Sequence, residues 1–377
     1  MPVMNYLNTC IFDNGAIKLL PKQLKHLGVT QPFLITDPGI KAAGLLDKVL
    51  AALGRPPAGL FDQTVANPTE TQAREATLAY KESGADGLIA LGGGSAMDIT
   101  KMVGLMASHD GPYDKYAAHL GGMRHIKPIP PLIAIPTTAG TGSEASVGLI
   151  AVMDNGRKET IVSPHLIPKV ALCDPDLTLG LPAYLTAATG MDAVTHCIEA
   201  VLTPAINPPA EGVGIDGLRR AIGEGWLQRA VMDGSDTEAR WHMMMASYEG
   251  ALAFIKGLGS VHALSHAAGR LHEKRLHHGT LNAVFLPHLL RENADAAPDK
   301  YSRLAEAMRL KNSTALADTI ERLNSEIGLP ENLAQMGLSA ADGPGIVDYA
   351  LADLAHAGNA KPLGKGDYER IYETALG

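Results

Sequence analysis

The chain has 377 residues, 46% of them apolar and 19% charged, with a formal net charge of −8. Such a length exceeds what one core usually serves, so two domains are the natural expectation. The acidic balance excludes a nucleic-acid surface, which needs a basic face, and no Lys/Arg run offers itself to an anionic membrane.

In chain order, residues 32–36 (PFLIT) read as a strand ending at Asp37, 41–53 as a helix, 59–61 as a short strand and 69–83 as a helix. Residues 86–91 (DGLIAL) read as a buried strand running into Gly92-Gly93-Gly94-Ser95, followed by a helix over 96–107 and a strand over 132–135 (LIAI). Strands alternating with helices imply βαβ units and a parallel sheet. The strands are apolar throughout, as in a sheet covered on both faces. After about residue 178 the strand signal fades. Helical patterns follow at 182–202, 211–231, 236–256, 259–272, 280–294 and 298–309. Pro182 suits a first helical turn, where its missing N–H is harmless. The expected organisation is a Rossmann-like α/β nucleotide-binding domain over 1–178 and an all-α domain over 179–377.

No stretch approaches eighteen uninterrupted apolar residues, so no membrane span is expected. The opening MPVMNYLNTCIFDNG has no basic region leading into an apolar core, so no signal peptide is expected. Cys10, Cys173 and Cys197 have no framework spacing and fit a reducing, cytoplasmic setting. Cys197 reads as a small buried residue, because the position beside His196 points about 100° away on a helix.

Gly92-Gly93-Gly94-Ser95 stands between a strand and a helix. There the backbone N–H groups and the positive dipole end receive a pyrophosphate, with Asp98 in the first turn. A tight βα turn without a ligand would use the same residues, and the spacing is not G-x-G-x-x-G. Asp37 at its strand end can accept hydrogen bonds from both ribose hydroxyls and repel a 2′-phosphate, favouring NAD over NADP. Asp37-Pro38-Gly39 is also a good turn sequence. Residues 136–144 (PTTAGTGSE) form a second polar loop after a strand, with Thr137, Thr138 and Thr141 offering hydroxyls. Two such loops at strand ends suit a nucleotide crevice.

Six of the fourteen histidines fall between residues 262 and 288: His262, His266, His272, His277, His278 and His288. Upstream, Asp192 and His196 are four apart and share a helix face. One carboxylate plus three imidazoles would make a mixed O/N site suited to Fe(II), Zn(II) or Mn(II). A hydrogen-bonded core role for His266 fits the residue pattern equally well. His272 and His288 read as surface or packing residues, and the methionines at 243–245 as core filling.

Several long motifs appear in order over nearly the whole chain. They are Gly92–Ser95 through Asp98 and Lys101, PTTAGTGSE, DPDLTLGLP at 174–182, TGMDAVTHCIEA at 189–200, GSVHALSHAAG at 259–269 and HHGTLNAVFLPH at 277–288. Together they resemble the iron-containing (group III) alcohol dehydrogenase family. IFDNGAIKLL and KGLGSVHALSH make the chain look most like its 4-hydroxybutyrate dehydrogenase branch. The resemblance implies the dehydroquinate synthase-like fold of that family, with a divalent metal in a cleft between a nucleotide-binding domain and a helical one. It puts Asp192, His196, His262 and His278 on metal-ligand positions and His266 near the nicotinamide, as proton relay. It puts Asp37, Asn67, Gly93, Gly94, Ser95, Asp98, Thr137, Thr138, Thr141 and Lys158 on cofactor positions, with Ser146 and Ile150 matching more loosely. Fe(II) is the implied metal, with Zn(II) or Mn(II) as alternatives. NAD is the implied dinucleotide, and a homodimer or larger homo-oligomer the implied assembly.

The segment between His266 and the last His-Gly is longer than the common family form and strongly basic (RLHEKRLHHG). It leaves His277 as an alternative last ligand, although the pattern of His278, Gly279 and Asn282 favours His278. For a carboxylate-bearing substrate, Arg270, Lys274 and Arg275 are the expected partners; a solvated charged loop would contain the same residues.

The implied activity is hydride transfer between NAD(H) and a primary alcohol or aldehyde, with 4-hydroxybutyrate and succinate semialdehyde as the expected pair. Two other readings use the same residues. One is a glycerol or diol dehydrogenase. The other is a metal- and NAD-dependent lyase or cyclase of the dehydroquinate synthase type, which gives no net NADH. A metal-storing protein would not need Gly92–Ser95, Asp37 and PTTAGTGSE together.

Overall fold

The computed structural model describes residues 8–377. The first seven residues, part of the stretch that lacks a leader pattern, lie outside the described residues, as does the side chain of His272. The chain divides into two compact units, one of residues 8–138 with 142–178, the other of residues 139–141 with 179–377.

Among the described residues, the first unit holds a six-stranded parallel sheet. Its strands are β1 Thr9–Phe12, β2 Pro32–Ile35, β3 Gly59–Phe61, β4 Gly87–Gly92, β5 Leu132–Pro136 and β8 Val170–Cys173. Their spatial order is β1-β8-β5-β4-β2-β3. A separate antiparallel hairpin pairs β6 Gly148–Val152 with β7 Lys158–Val162. Successive side chains of the central strands enter opposite cores. Leu34, Ile89, Leu91, Ile133 and Ile135 pack on one face, and Phe33, Ile35, Leu88, Ala90 and Leu132 on the other. Both faces are covered, which is why the strands read as unbroken apolar runs.

The strands at 32–36, 59–61, 86–91 and 132–135 are present. β1 and β8, each four residues long, and the hairpin were not anticipated; strands that short carry little periodic signal. The helix expected over 41–53 is two helices, Pro38–Ala42 and Leu45–Leu53, parted at Gly44, whose φ of 72° leaves the right-handed region.

The second unit is helical around one core that includes Ile198, Leu264, Phe285, Leu304, Ile320 and Tyr368. The helix expected over 211–231 runs Pro208–Leu218, passes into a π-helix over Arg219–Gly223, and restarts as Trp226–Met232 after Gly225 at φ 77°. The helix expected over 259–272 is Ser260–Ala268. No helix among the described residues is long and apolar enough to cross a membrane.

The Ala183–Leu202 helix is buried at every position from Thr186 to Leu202. Buried polar groups need partners. Thr189 and Thr195 donate back to the carbonyls of Leu185 and Met191. Asp192, His196 and Glu199 have no such local outlet, and their i, i+4, i+7 spacing lays them along one face.

Candidate metal centre and cofactor loops

Three helices converge on Asp192. The Ser260–Ala268 helix brings His262, and His278 opens the His278–Glu292 helix. Asp192 Oδ1 lies 3.6 Å from His196 Nε2, 3.6 Å from His262 Nε2 and 3.5 Å from His278 Nε2. A tetrahedral ion with bonds of about 2.1 Å separates its ligand atoms by about 3.4 Å. Asp192, His196 and His262 are therefore spaced for one small divalent cation, with His278 within reach of Asp192 as a fourth donor, and the mixed oxygen and imidazole set suits Fe(II), Zn(II) or Mn(II). Gly279 makes this approach possible, since a Cβ there would stand 2.0 Å from the Ala188 carbonyl oxygen.

Of the two adjacent histidines, His278 reaches Asp192. His277 is the N-cap residue, and its Nδ1 is buried without a partner. Asn282, one turn into the same helix, donates from Nδ2 to Asp192 Oδ1 at 2.7 Å. The same amide nitrogen lies 3.2 and 3.3 Å from the Nε2 atoms of His262 and His278.

Glu199 was not singled out by sequence reasoning. Its side chain is buried, Oε1 accepts from the Val261 N–H at 2.7 Å, and Oε2 accepts from His262 Nδ1 at 2.6 Å. With Nδ1 holding the proton, the Nε2 lone pair of His262 is turned toward Asp192, the tautomer a metal ligand needs. The signal was in TGMDAVTHCIEA, where Glu199 follows Asp192 by seven positions on the same helix face.

Burial opposes charge throughout this cluster. It lowers His196 to about 4 in spite of Asp192. At His262 burial works in the same direction, but the Asp192 and Glu199 carboxylates outweigh it and raise the imidazole to about 9. Burial alone would raise Asp192, yet His196, His278 and His262 hold it well below the usual carboxylate range.

His266 lies one turn beyond His262, its ring stacked on His278 at 5.3 Å between centroids. Its Nδ1 is 3.0 Å from Asp353 Oδ2, and the other Asp353 oxygen accepts from the Ala355 N–H at 2.8 Å. Asp353, also missed in the sequence, engages Nδ1 and leaves Nε2 as the ring nitrogen it does not bind. The remaining expectations are readily placed. Cys197, Met243 and Met244 are buried in the core, and His288 is half-buried on its helix. Lys274 donates to the Gly337 carbonyl at 2.7 Å and lies 3.4 Å from Asp342. Arg275 is exposed, with φ 50°.

In the first unit, the helix after the glycine turn is Gly94–Ser108, two residues earlier than read, with Gly93 as its N-cap. No side chain caps it, so its first-turn N–H groups suit an anion. Gly92 pairs with Pro136 across β4 and β5, and the Thr137 N–H bonds to the Gly92 carbonyl at 3.1 Å. The two polar loops thus lie side by side at the carboxyl ends of neighbouring strands. The Thr137 hydroxyl is buried without a partner.

Asp37 caps the Pro38–Ala42 helix, where Oδ1 accepts from the Ile40 N–H at 2.9 Å. Asn67, at φ 55°, accepts from Lys158 Nζ at 2.8 Å. Ile150 stands in β6 opposite Thr160, and the Ser146 hydroxyl accepts from the Gly148 N–H at 2.9 Å. Asp98 accepts from the Ser143 hydroxyl at 3.1 Å, and burial raises its carboxyl to about 6. Lys101, given no role from the sequence, is fully buried. Its Nζ donates to Ser143 Oγ at 3.0 Å and to the carbonyls of Ser146 at 3.0 Å and Gly148 at 2.7 Å, and burial lowers it to about 8. It ties the glycine-loop helix to the second loop. Thr141, unlike the other expected cofactor residues, falls in the helical unit.

The family model for iron-containing alcohol dehydrogenase matches residues 8–175, and that for the C-terminal part of the Fe-containing alcohol dehydrogenase family matches residues 186–376. The 4-hydroxybutyrate dehydrogenase of Cupriavidus necator is 46% identical, the alignment covering 100% of both chains. The 1,3-propanediol dehydrogenase of Citrobacter freundii is 36% identical over 98% of this chain and 97% of its own. Among solved structures, 1,3-propanediol oxidoreductase superposes with a TM-score of 0.93 at 33% identity, over 99% of this chain and 100% of that one. Sulfoacetaldehyde reductase from Bifidobacterium kashiwanohense, in complex with NAD+, superposes with a TM-score of 0.90 at 25% identity, over 100% and 99%.

Proposed function

The chain belongs to the iron-containing alcohol dehydrogenase family and is an oxidoreductase, and from that premise we propose that it interconverts 4-hydroxybutyrate and succinate semialdehyde with NAD(H). The observation that carries the chemistry is the meeting of Asp192 Oδ1 with three imidazole Nε2 atoms at 3.5 to 3.6 Å. The substrate rests on the full-length identity with a 4-hydroxybutyrate dehydrogenase. In this reading residues 1–178 bind the dinucleotide and residues 179–377 hold the metal, with Fe(II) the expected ion. Its setting is the cytoplasm, where the three free thiols stay reduced, and its assembly a homodimer or larger homo-oligomer, as the family implies.

Asp192, His196, His262 and His278 would hold a divalent ion, which would supply the Lewis acidity that acidifies an alcohol and polarises an aldehyde carbonyl. His266 accepts the hydroxyl proton at Nε2 during oxidation and returns it during reduction; Asp353 holds the Nδ1 proton and keeps the ring in that tautomer. Asp192, His196 and His262 are themselves buried, which strengthens their electrostatic hold on an ion. The first-turn N–H groups at Gly94 and Ser95 hold the pyrophosphate, beside Thr137 and Thr138. Asp37, oriented by the Ile40 N–H, accepts from the adenosine ribose and repels a 2′-phosphate. Asp37→Gly is expected to narrow the NAD to NADP ratio of kcat/KM by about tenfold or more, since it removes both an acceptor and a like charge. A ratio that does not move would take Asp37 out of the ribose site.

The test of the function is anaerobic loading with Fe(II), followed by NADH absorbance with 4-hydroxybutyrate, 1-butanol, 1,3-propanediol and glycerol. The highest kcat/KM is expected for 4-hydroxybutyrate. A preference for either polyol would favour a diol dehydrogenase. No NADH from any of them would reject the dehydrogenase in favour of an internally redox-neutral lyase.

A further inference from the structure

Asn282 stands where the lone pairs of the ligand cluster meet. It lies one turn after His278 on the His278–Glu292 helix, so the two side chains share a face. It is fully buried, and its Nδ2 lies 2.7 Å from Asp192 Oδ1, 3.2 Å from His262 Nε2 and 3.3 Å from His278 Nε2. Its other polar atom, Oδ1, is buried without a partner. An unpaired buried oxygen costs stability, so packing alone does not account for an asparagine at this position. The contacts of its nitrogen do.

A carboxylate oxygen only accepts hydrogen bonds. The atom facing Asp192 is therefore the amide nitrogen, and turning the amide over would set Oδ1 against Asp192 Oδ1 and two ring nitrogens. An amide NH2 group only donates, so each Nε2 within its reach must offer a lone pair rather than an N–H. In a neutral imidazole the proton then resides on Nδ1. At His262 this agrees with Glu199, which accepts from Nδ1 at 2.6 Å. At both rings it leaves unprotonated the nitrogen that a metal needs. Without the amide, Asp192 Oδ1, 3.6 Å from His262 Nε2 and 3.5 Å from His278 Nε2, would draw the proton to that nitrogen instead.

We propose that Asn282 is a positioning residue of the metal centre: its NH2 group stands in for the cation in the apoprotein, holding Asp192, His262 and His278 together and keeping both ring protons on Nδ1. This rests on the metal-centre reading above and is independent of the substrate. The bond to Asp192 is compatible with a bound ion, because a carboxylate oxygen has a second lone pair for Nδ2.

The experiment compares the full-length apoproteins of the wild type, Asn282→Leu and Asn282→Ala. Nitrogen NMR of ring-labelled histidines reports which nitrogen carries the proton, with signals assigned from His262→Gln and His278→Gln. In the wild type both rings are expected to be protonated at Nδ1. In the Asn282 variants the His278 signal should move toward the Nε2-protonated form, and that of His262 less, since Glu199 still accepts from its Nδ1. Competition with a chelator should show the affinity for Co(II) falling about tenfold. Melting of each apoprotein shows which variants fold, and the alanine variant carries the same expected result if the leucine variant does not. Folded variants with wild-type tautomers overturn the proposal even if their affinity falls, because that loss would be one of packing alone. Wild-type affinity in a variant whose tautomers have moved overturns it as well, as does Nε2 protonation of both rings in the wild type. A wild type that binds no Co(II) removes the metal-centre reading and this proposal together.

Discussion

Asp192→Ala is expected to abolish metal retention and lower kcat by more than about a thousandfold, while leaving dinucleotide binding in place. Asp192 Oδ1 is the one atom shared by all three imidazole contacts, at 3.6, 3.6 and 3.5 Å. It is also the one anionic donor of the set. His196 and His262 alone would present buried imidazoles to a divalent cation with no charge to offset its desolvation. The residues proposed to bind the dinucleotide, apart from Thr141, belong to the other compact unit, so dinucleotide affinity should be nearly unchanged. Metal content after dialysis and calorimetric titration with NAD measure the two parts separately. Full activity with metal retained would place the ion elsewhere. Loss of dinucleotide binding as well would mean that the substitution had unfolded more than the site.

Glu199→Gln should weaken metal binding by about 10- to 100-fold with little change in the fold. The carboxylate now accepts two hydrogen bonds, from the Val261 N–H at 2.7 Å and from His262 Nδ1 at 2.6 Å. An amide has one acceptor oxygen. Its NH2 group must then face either the Val261 N–H or the His262 Nδ1–H. The imidazole escapes the second conflict by moving its proton to Nε2, the nitrogen that points at Asp192, and a protonated Nε2 cannot bind a metal. Competition between the apoprotein and a chelator for Co(II) gives the affinity, and melting of the apoprotein gives the fold. An affinity equal to that of the wild type would show that Glu199 does not set the tautomer.

The two positions differ in how far the sequence anticipated them. Asp192 was legible because a carboxylate and an imidazole four residues apart must share a helix face, whatever surrounds them. The same spacing logic extends to Glu199, but a glutamate on an otherwise apolar helix has no sequence-level reason to be a partner until His262 is known to face it. Those two residues are 63 apart in the chain, and His266 and Asp353 are 87 apart. Lys101 likewise lay in plain view in the glycine motif, and its role emerged only from the carbonyls gathered around Nζ. The basic loop is the sharpest case: Arg270, Lys274 and Arg275 are equivalent as letters, and Tyr349, Asp342 and the αL turn separate them.

By itself the sequence determined what local spacing and burial pattern can encode: a parallel α/β half followed by a helical half, a glycine turn at a helix start, an Asp-His face and a cluster of imidazoles. The edge strands β1 and β8, the hairpin, the breaks at Gly44 and Gly225, the carboxylate partners of His262 and His266, and the different contacts of three cations in one loop were decided by tertiary structure. The physical reason is one of range. Helix and strand periodicities act over a few residues, whereas a ligand set or an oriented tautomer exists only where segments distant in sequence pack within hydrogen-bond distance.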